Sequence, residues 1–364
     1  MRRTSALIVG GGPAGSAAAI MLARAGAVPE LIERTSGPRD VVCGGFLGWD
    51  ALAALRQVGV DAWALGARPI ERLRLGGAKR TVEVQLPFRA AGLSRRTLDE
   101  ALLAAAADAG AWVRRGAAVR AVEDGRRVRL DTGDEIEAGA LFLATGKHEL
   151  RGLARPREVV AADAVVGFRT ALRSSPGLQE ALKGLIELHL FDGGYAGLLL
   201  QEDGSANLCL SAARARLTRA GGIENLLAEL SSEAPGLARR LEEGEVSEWE
   251  AVAGVPYGWR ARATEPGIFR LGDQAAVIAS LAGDGIAIAL TSGIAAATAY
   301  SLHGPGGAEV FQQRFASKAA RPLAVASALR QAAENPARRN MLMHVLGLFP
   351  SLASLAARAT RIEE

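Results

Sequence analysis

Ser5-Ala6-Leu7-Ile8-Val9-Gly10-Gly11-Gly12-Pro13-Ala14-Gly15 stands at the head of the chain. Residues 6–9 are an apolar run of the kind buried on both faces of a parallel sheet. The run stops at Gly10-x-Gly12-x-x-Gly15, a small-residue helix follows over 17–25, and a second strand ends on Glu33. Gly10 allows the tight turn, Gly12 lets backbone approach a pyrophosphate, and Gly15 lets helix and strand pack closely. Pro13 and Ala14 carry the turn into the helix, whose unpaired N–H groups and positive end face phosphate oxygens. Glu33, about twenty residues on, is placed to accept hydrogen bonds from a ribose, with Arg34 beside it.

Composition sets the outer bounds. With 364 residues, 49% of them hydrophobic and 23% charged, the chain can bury a large core in two lobes. The net charge of +4 comes from scattered arginines, and aromatics make up only 5%. No dense basic run with interleaved aromatics is present, so no nucleic-acid surface is expected. Cys43 and Cys209 lie far apart, and the four histidines lack ligand spacing. Neither a disulfide framework nor a metal site is expected. The first strand begins too soon for a signal peptide, which points to a cytoplasmic protein. Residues 340–357 carry no formal charge and approach a membrane-spanning length. Pro350 divides them, so two short amphipathic helices packed on the body are expected, with peripheral membrane contact as the alternative.

Further along, period-two runs at 71–75 and 81–86 predict strands with one exposed face, and 98–109 predicts a helix. Strands follow at 113–114, 118–122 and 128–130, with a hairpin turn at 131–134 and a buried strand at 140–144. From 160 to 210 the pattern changes to longer strands of antiparallel type. Helices are expected over 223–240, a last parallel strand over 268–271, and a helical tail from 286 onward. A nucleotide-binding lobe built from both ends of the chain, roofed by an antiparallel sheet, fits this alternation.

A second constellation, Gly272-Asp273 followed by Gly283-Asp284-Gly285-Ile286, lies after that last strand. Together with the N-terminal turn it resembles the flavoprotein family of p-hydroxybenzoate hydroxylase-type monooxygenases and geranylgeranyl reductases. The resemblance implies FAD. Asp273 would bind its ribityl chain and pyrophosphate, and the helix starting near Gly285 and Ile286 would point its positive end at the flavin ring. Cys43-Gly44-Gly45-Phe46 is similar to the reductases' loop over the flavin. Ser94-Arg95-Arg96-Thr97-Leu98-Asp99 is similar to the family's Arg-containing helix start. By that match Arg95 would meet the cofactor phosphates or ribose, Val119 would hold the adenine by its backbone, and Gly146 would follow the strand end.

The sequence departs from the family in several places. Thr145-Gly146 stands where the monooxygenases carry Asp-Gly, which counts against NADPH as direct reductant and toward a separate flavin reductase or ferredoxin. The Tyr-x-Trp-x-Phe-Pro element of the reductases survives only as Tyr195, and the signatures of flavin halogenases are not recognisable. Candidate proton-handling residues are Cys43, His148, His189 and Tyr195; His148 and Lys147 follow a strand end, where α/β ligands bind. His189 shares a strand face with Glu187, facing either a cavity or solvent.

The expected fold is α/β. It has a Rossmann-type, glutathione reductase 2-like FAD lobe (1–75, 92–155, 260–330), an antiparallel substrate sheet (76–91, 156–259) and C-terminal helices (331–364). The reading ranked first is an FAD-dependent monooxygenase, a hydroxylase or epoxidase, acting on an apolar small molecule such as a polyketide, aromatic or isoprenoid. A carbon–carbon double-bond reductase is second, and a flavin-bearing electron carrier third.

Overall fold

The computed structural model describes residues 2–123, 125–156 and 165–362. Its first sheet runs in the order Trp112–Arg115, Glu30–Glu33, Arg2–Val9, Glu135–Leu143, Arg127–Leu130, Val119–Glu123. Ile268–Arg270 pairs in parallel with the far end of Glu135–Leu143. Ala6, Leu7 and Ile8 are wholly buried because helices and the 119–143 meander cover both faces of the central strand. Phe142 stacks on Phe269, ring centroids 4.6 Å apart, with Tyr300 edge-on to both, which ties the last strand to the helical tail.

The helix Pro13–Arg24 fills the space between this sheet and the helix Gly285–His303. Small side chains make the contact possible. A Cβ at Gly15 would sit 1.9 Å from the Gly10 carbonyl oxygen, and one at Gly293 would sit 2.2 Å from that of Ala14. Ser292 completes the join, its Oγ accepting the Gly272 N–H and donating to the Ala289 carbonyl.

The second sheet orders Gly244–Val246, Val165–Ser174, Ala206–Ala213, Gly194–Leu200, Gly184–Phe191, Arg68–Gly76, Thr81–Gly92 and Phe46–Leu47. It is antiparallel apart from the pairing of Gly184–Phe191 with Arg68–Gly76. Asp192-Gly193, with Gly193 at φ 73°, closes the two-residue hairpin before Gly194. The boundary expected at 75/76 falls inside Arg68–Gly76, a strand that pairs wholly within this sheet. The boundary expected at 155/156 adjoins residues 157–164, which lie outside the described residues, as does the expected start at 160. The helices expected over 223–240 are Ile223–Glu233 and Pro235–Glu242, divided because Pro235 cannot continue the first. The stretch 340–357 does form two helices, Pro336–Leu348 and Ser351–Ala359, bent by 116° at Pro350.

Strand alternation sorts the second sheet's side chains. Leu198, Leu208 and Leu210 pack under helices from residues 214–242. On that same face Glu187 is held by Arg74 at 2.6 Å, Arg240 at 2.9 Å and His189 at 3.1 Å. Burial opposes ionisation of Glu187, but these donors outweigh it and lower its pKa to about 2. His189 therefore faces neither cavity nor solvent. It sits against Gly236 of the covering helix, in a structural ion network, and the catalytic candidacy expected for it is withdrawn. An unfolded glutamate titrates near about 4.3, above the folded value, so this stabilisation is present above that pH and fades as pH falls toward 2. Glu187→Gln should lose about 3 kcal/mol at pH 7 by chemical denaturation. Its stability should also change less than the wild type's between pH 5 and pH 3; parallel pH profiles would show that Glu187 does not carry the acid sensitivity.

Candidate cofactor and active site

Both glycine turns end in helix starts that leave their N–H groups open. Gly12 precedes Pro13–Arg24 with no side-chain cap and no acid in the first turn. Asp284 precedes Gly285–His303 and, as an N-cap residue, would ordinarily fold its carboxylate onto that helix. It makes no such bond. Its side chain, fully buried, pairs instead with the guanidinium of Arg361, which Asp50 also approaches at 3.9 Å. Burial lowers Arg361 to about 10, still cationic at neutral pH. A residue next to the chain's end thus diverts the natural cap and leaves a positive helix end facing the cavity.

The remaining turn residues hold one another. Glu33 accepts the Gly11 N–H at 2.7 Å through one oxygen, and the Thr35 N–H and hydroxyl through the other. It braces the turn as well as standing at the ribose position. Arg95 is clamped by both oxygens of Asp99, and its Nη2 lies 3.4 Å from where a Cβ on Gly12 would be. A cation beside the first helix start suits a pyrophosphate. Ala117 N–H bonds the Glu33 carbonyl, which brings Val119 to the same end of the sheet.

Between the two turns runs a second layer of contacts. Lys147 Nζ meets Asp273 at 3.0 Å, and that carboxylate raises the Lys147 pKa against the opposing effect of burial. Arg155, buried, donates to the carbonyls of Gly146, Lys147 and Asp273. Gln274 donates to those of Gly146 and His148. His148 bonds Arg34 at 2.7 Å on the dinucleotide side, away from the cavity. Burial and the charges of Arg34 and Arg39 lower its pKa and keep it neutral, so the expected catalytic role is not supported by its position.

A cavity of about 430 Å³ begins where these loops meet. Cys43, Gly44, Gly45 and Phe46 line it together with Lys147, Asp273, Gly283, Gly285 and Ile286, Gly283 lying against the Phe46 ring. Asn207 donates to the carbonyls of Cys43 and Gly44 at 3.0 and 2.9 Å, and Arg169, bonded to Asp40, orients Asn207. A Cβ at Gly44 or Gly285 would meet nothing within 4 Å, so there is open space over both loops for a flat ring. Cys43 has two basic side chains close to its thiol, Arg95 and Lys147. Tyr195 does line the cavity, with Tyr257 and Ser280, whose hydroxyls bond each other. Burial raises the Tyr195 pKa well above the usual phenol value and that of Cys209 to about 12, so both keep their protons.

These features fit FAD: two open helix starts, a cation at the pyrophosphate turn, and a ring-sized space between glycine loops. Residues 3–192 match the FAD binding domain family. The chain belongs to that family. It is an FAD-dependent oxidoreductase. The menaquinone reductase of Mycobacterium tuberculosis (strain H37Rv) is 33% identical over 313 residues, 80% of this chain and 75% of that protein. The flavin-dependent brominase Bmp2 superposes with a TM-score of 0.77 at 15% identity, covering 98% of this chain and 93% of its own. A geranylgeranyl bacteriochlorophyll reductase-like protein from Thermoplasma acidophilum gives 0.70 at 20% identity, covering 100% and 94%. The expected α/β flavoprotein architecture and the FAD cofactor stand on these matches.

Arg361, Asn207 and Arg155 carry no motif and went unread in the sequence; only their burial and partners reveal them. Arg361→Ala leaves Asp284 buried without its cation or free to cap the helix, and FAD binding should weaken roughly tenfold or more. Gly12→Val should give a colourless protein. FAD titration followed by flavin fluorescence checks both, and wild-type affinity in Arg361→Ala would refute the diversion of the cap.

Proposed function

We propose that this flavoprotein reduces a carbon–carbon double bond in a lipid that joins a polar ring to an isoprenoid tail, of the prenylquinone kind. The observation that carries this reading is the shape and lining of the cavity. From the Cys43–Phe46 loop it continues between the second sheet (Leu73, Leu75, Leu188, Leu190) and the C-terminal helices (Leu342, Leu346). Such a slot accepts a long apolar chain with little desolvation cost. The menaquinone reductases among its relatives support the same substrate class. Sequence alone ranks oxygen insertion ahead of reduction; the relatives and the long apolar slot together favour reduction.

Reduced FAD supplies a hydride equivalent when bound, and the second hydrogen is a proton. Tyr195, Tyr257 and Ser280 form the hydroxyl cluster on the cavity wall, with Tyr195 Oη holding its proton under burial. They can bond a ring carbonyl or deliver that proton. Asn207 fixes the Cys43–Gly45 loop and so sets the floor against which the chain is pressed. Because Thr145 departs from the Asp of NADPH-using relatives, the electrons come from a separate reductase or ferredoxin-type carrier.

The test uses photoreduced holoprotein without oxygen. Addition of a long-tailed prenylquinone carrying a non-flavin-reactive, pre-reduced ring should restore the oxidised flavin spectrum and give a product two hydrogens heavier. Tyr195→Phe should slow this by roughly a hundredfold. Reoxidation only on admitting oxygen, with product one oxygen heavier, would establish the monooxygenase reading instead.

A further inference from the structure

The helices Pro336–Leu348 and Ser351–Ala359 are apolar on two sides. Inwardly, Leu342, Val345, Leu346, Ala353 and Ala356 line the cavity. Outwardly, Met341, Leu348, Phe349 and Leu355 are exposed by 66, 61, 58 and 62%. The spacing makes this a built surface. Arg338, Met341, His344 and Leu348 recur at three- and four-residue intervals along one helix, and Leu352, Leu355 and Arg358 along the next. The 116° bend at Pro350 places Leu348 and Phe349 at its corner.

The exposed charge on these two helices is basic. Residues 335–362 contain no Asp or Glu, and Arg338 and Arg358 stand exposed beside the apolar corner. Arg80, on the hairpin turn that also carries Lys79, bonds His344 at 2.9 Å and adds to the rim. Glu83 on the same hairpin is taken up by Arg72 and Arg74. An apolar corner with a basic rim matches an anionic bilayer: side chains enter the acyl boundary while arginines meet lipid phosphates. A second copy of this chain would bring the same positive rim and repel it.

We propose that the corner formed by Pro336–Leu348 and Ser351–Ala359 docks this protein on anionic membrane surfaces, with the cavity immediately behind the docked helices. The helix pair is then both the cavity's outer wall and the membrane contact, so an apolar molecule passes from bilayer to cavity without crossing water. Docking itself does not depend on which reaction the cavity performs.

The experiment is flotation of oxidised holoprotein, without substrate, on vesicles of equal phosphatidylglycerol and phosphatidylcholine and on phosphatidylcholine alone. Flotation with the anionic vesicles is expected, weakened by high salt and roughly tenfold lower on phosphatidylcholine. Leu348→Glu/Phe349→Glu should abolish it while flavin content and thermal midpoint stay as in the wild type, and Arg338→Gln/Arg358→Gln should erase the preference for anionic lipid. Absence of flotation, or undiminished flotation of the glutamate variant, overturns the proposal. So does a concentration-dependent dimer that the glutamate variant dissolves without any vesicle binding by the wild type.

Discussion

The contact of Pro13–Arg24 on Gly285–His303 is the constraint from which the rest of this molecule follows. The two helices come from opposite ends of the chain, and each begins at a glycine turn. Their backbones approach so closely that Gly293 admits no side-chain carbon against Ala14 and Ala18, while Gly15 does the same for the helix against the first turn. Alanines at 14, 17 and 18 fill the seam with nothing larger than a methyl group. The closeness sets the distance between the pyrophosphate turn and the flavin turn, and so the span of the cofactor that bridges them.

Around that seam the chain spends charged groups to hold loops, leaving the ligand-facing groups unsatisfied by protein. Arg361 takes Asp284 from its helix, Arg155 takes the carbonyls behind Asp273, and Asn207 takes those behind Cys43 and Gly44. In each case a buried polar side chain is satisfied by backbone or ion pair, as burial requires. What remains open are N–H groups at two positive helix ends and the space over glycine backbone. The same economy divides the second sheet: its far face carries the Glu187 network and the leucines under residues 214–242, and its near face gives the cavity an apolar wall with the Tyr195 and Ser211 hydroxyls and the Cys209 thiol.

Local chemistry made much of this legible from sequence. The first strand, its turn, the helix and Glu33 lie within one short stretch, so their joint spacing is readable locally. Gly272-Asp273 and Gly283–Ile286 were readable for the same reason. Long-range pairing was not. Nothing in the sequence near Arg361 announces that it reaches Asp284, and alternation places His189 with Glu187 without saying which face meets the cavity. The helices 336–359 were foreseen as a pair broken at Pro350, but their apolar residues on two sides, one toward the cavity, emerge only from tertiary packing. His148 illustrates the opposite error: a strand-end position suggested chemistry, and its neighbours Arg34 and Arg39 assign it to the dinucleotide side.

The central claim is that helix-to-helix closeness sets the spacing of the two turns that hold the cofactor. Gly293→Ala adds one methyl group to the seam, against the Ala14 carbonyl and the Ala18 N–H and outside the cavity. FAD affinity and thermal midpoint of this variant should be measured together by fluorescence titration and calorimetry. The account predicts a destabilisation of about 1–3 kcal/mol from overpacking and a loss of FAD affinity of roughly tenfold, recovered in spectrum at high FAD. A variant that is destabilised to that extent yet binds FAD as tightly as the wild type would contradict it.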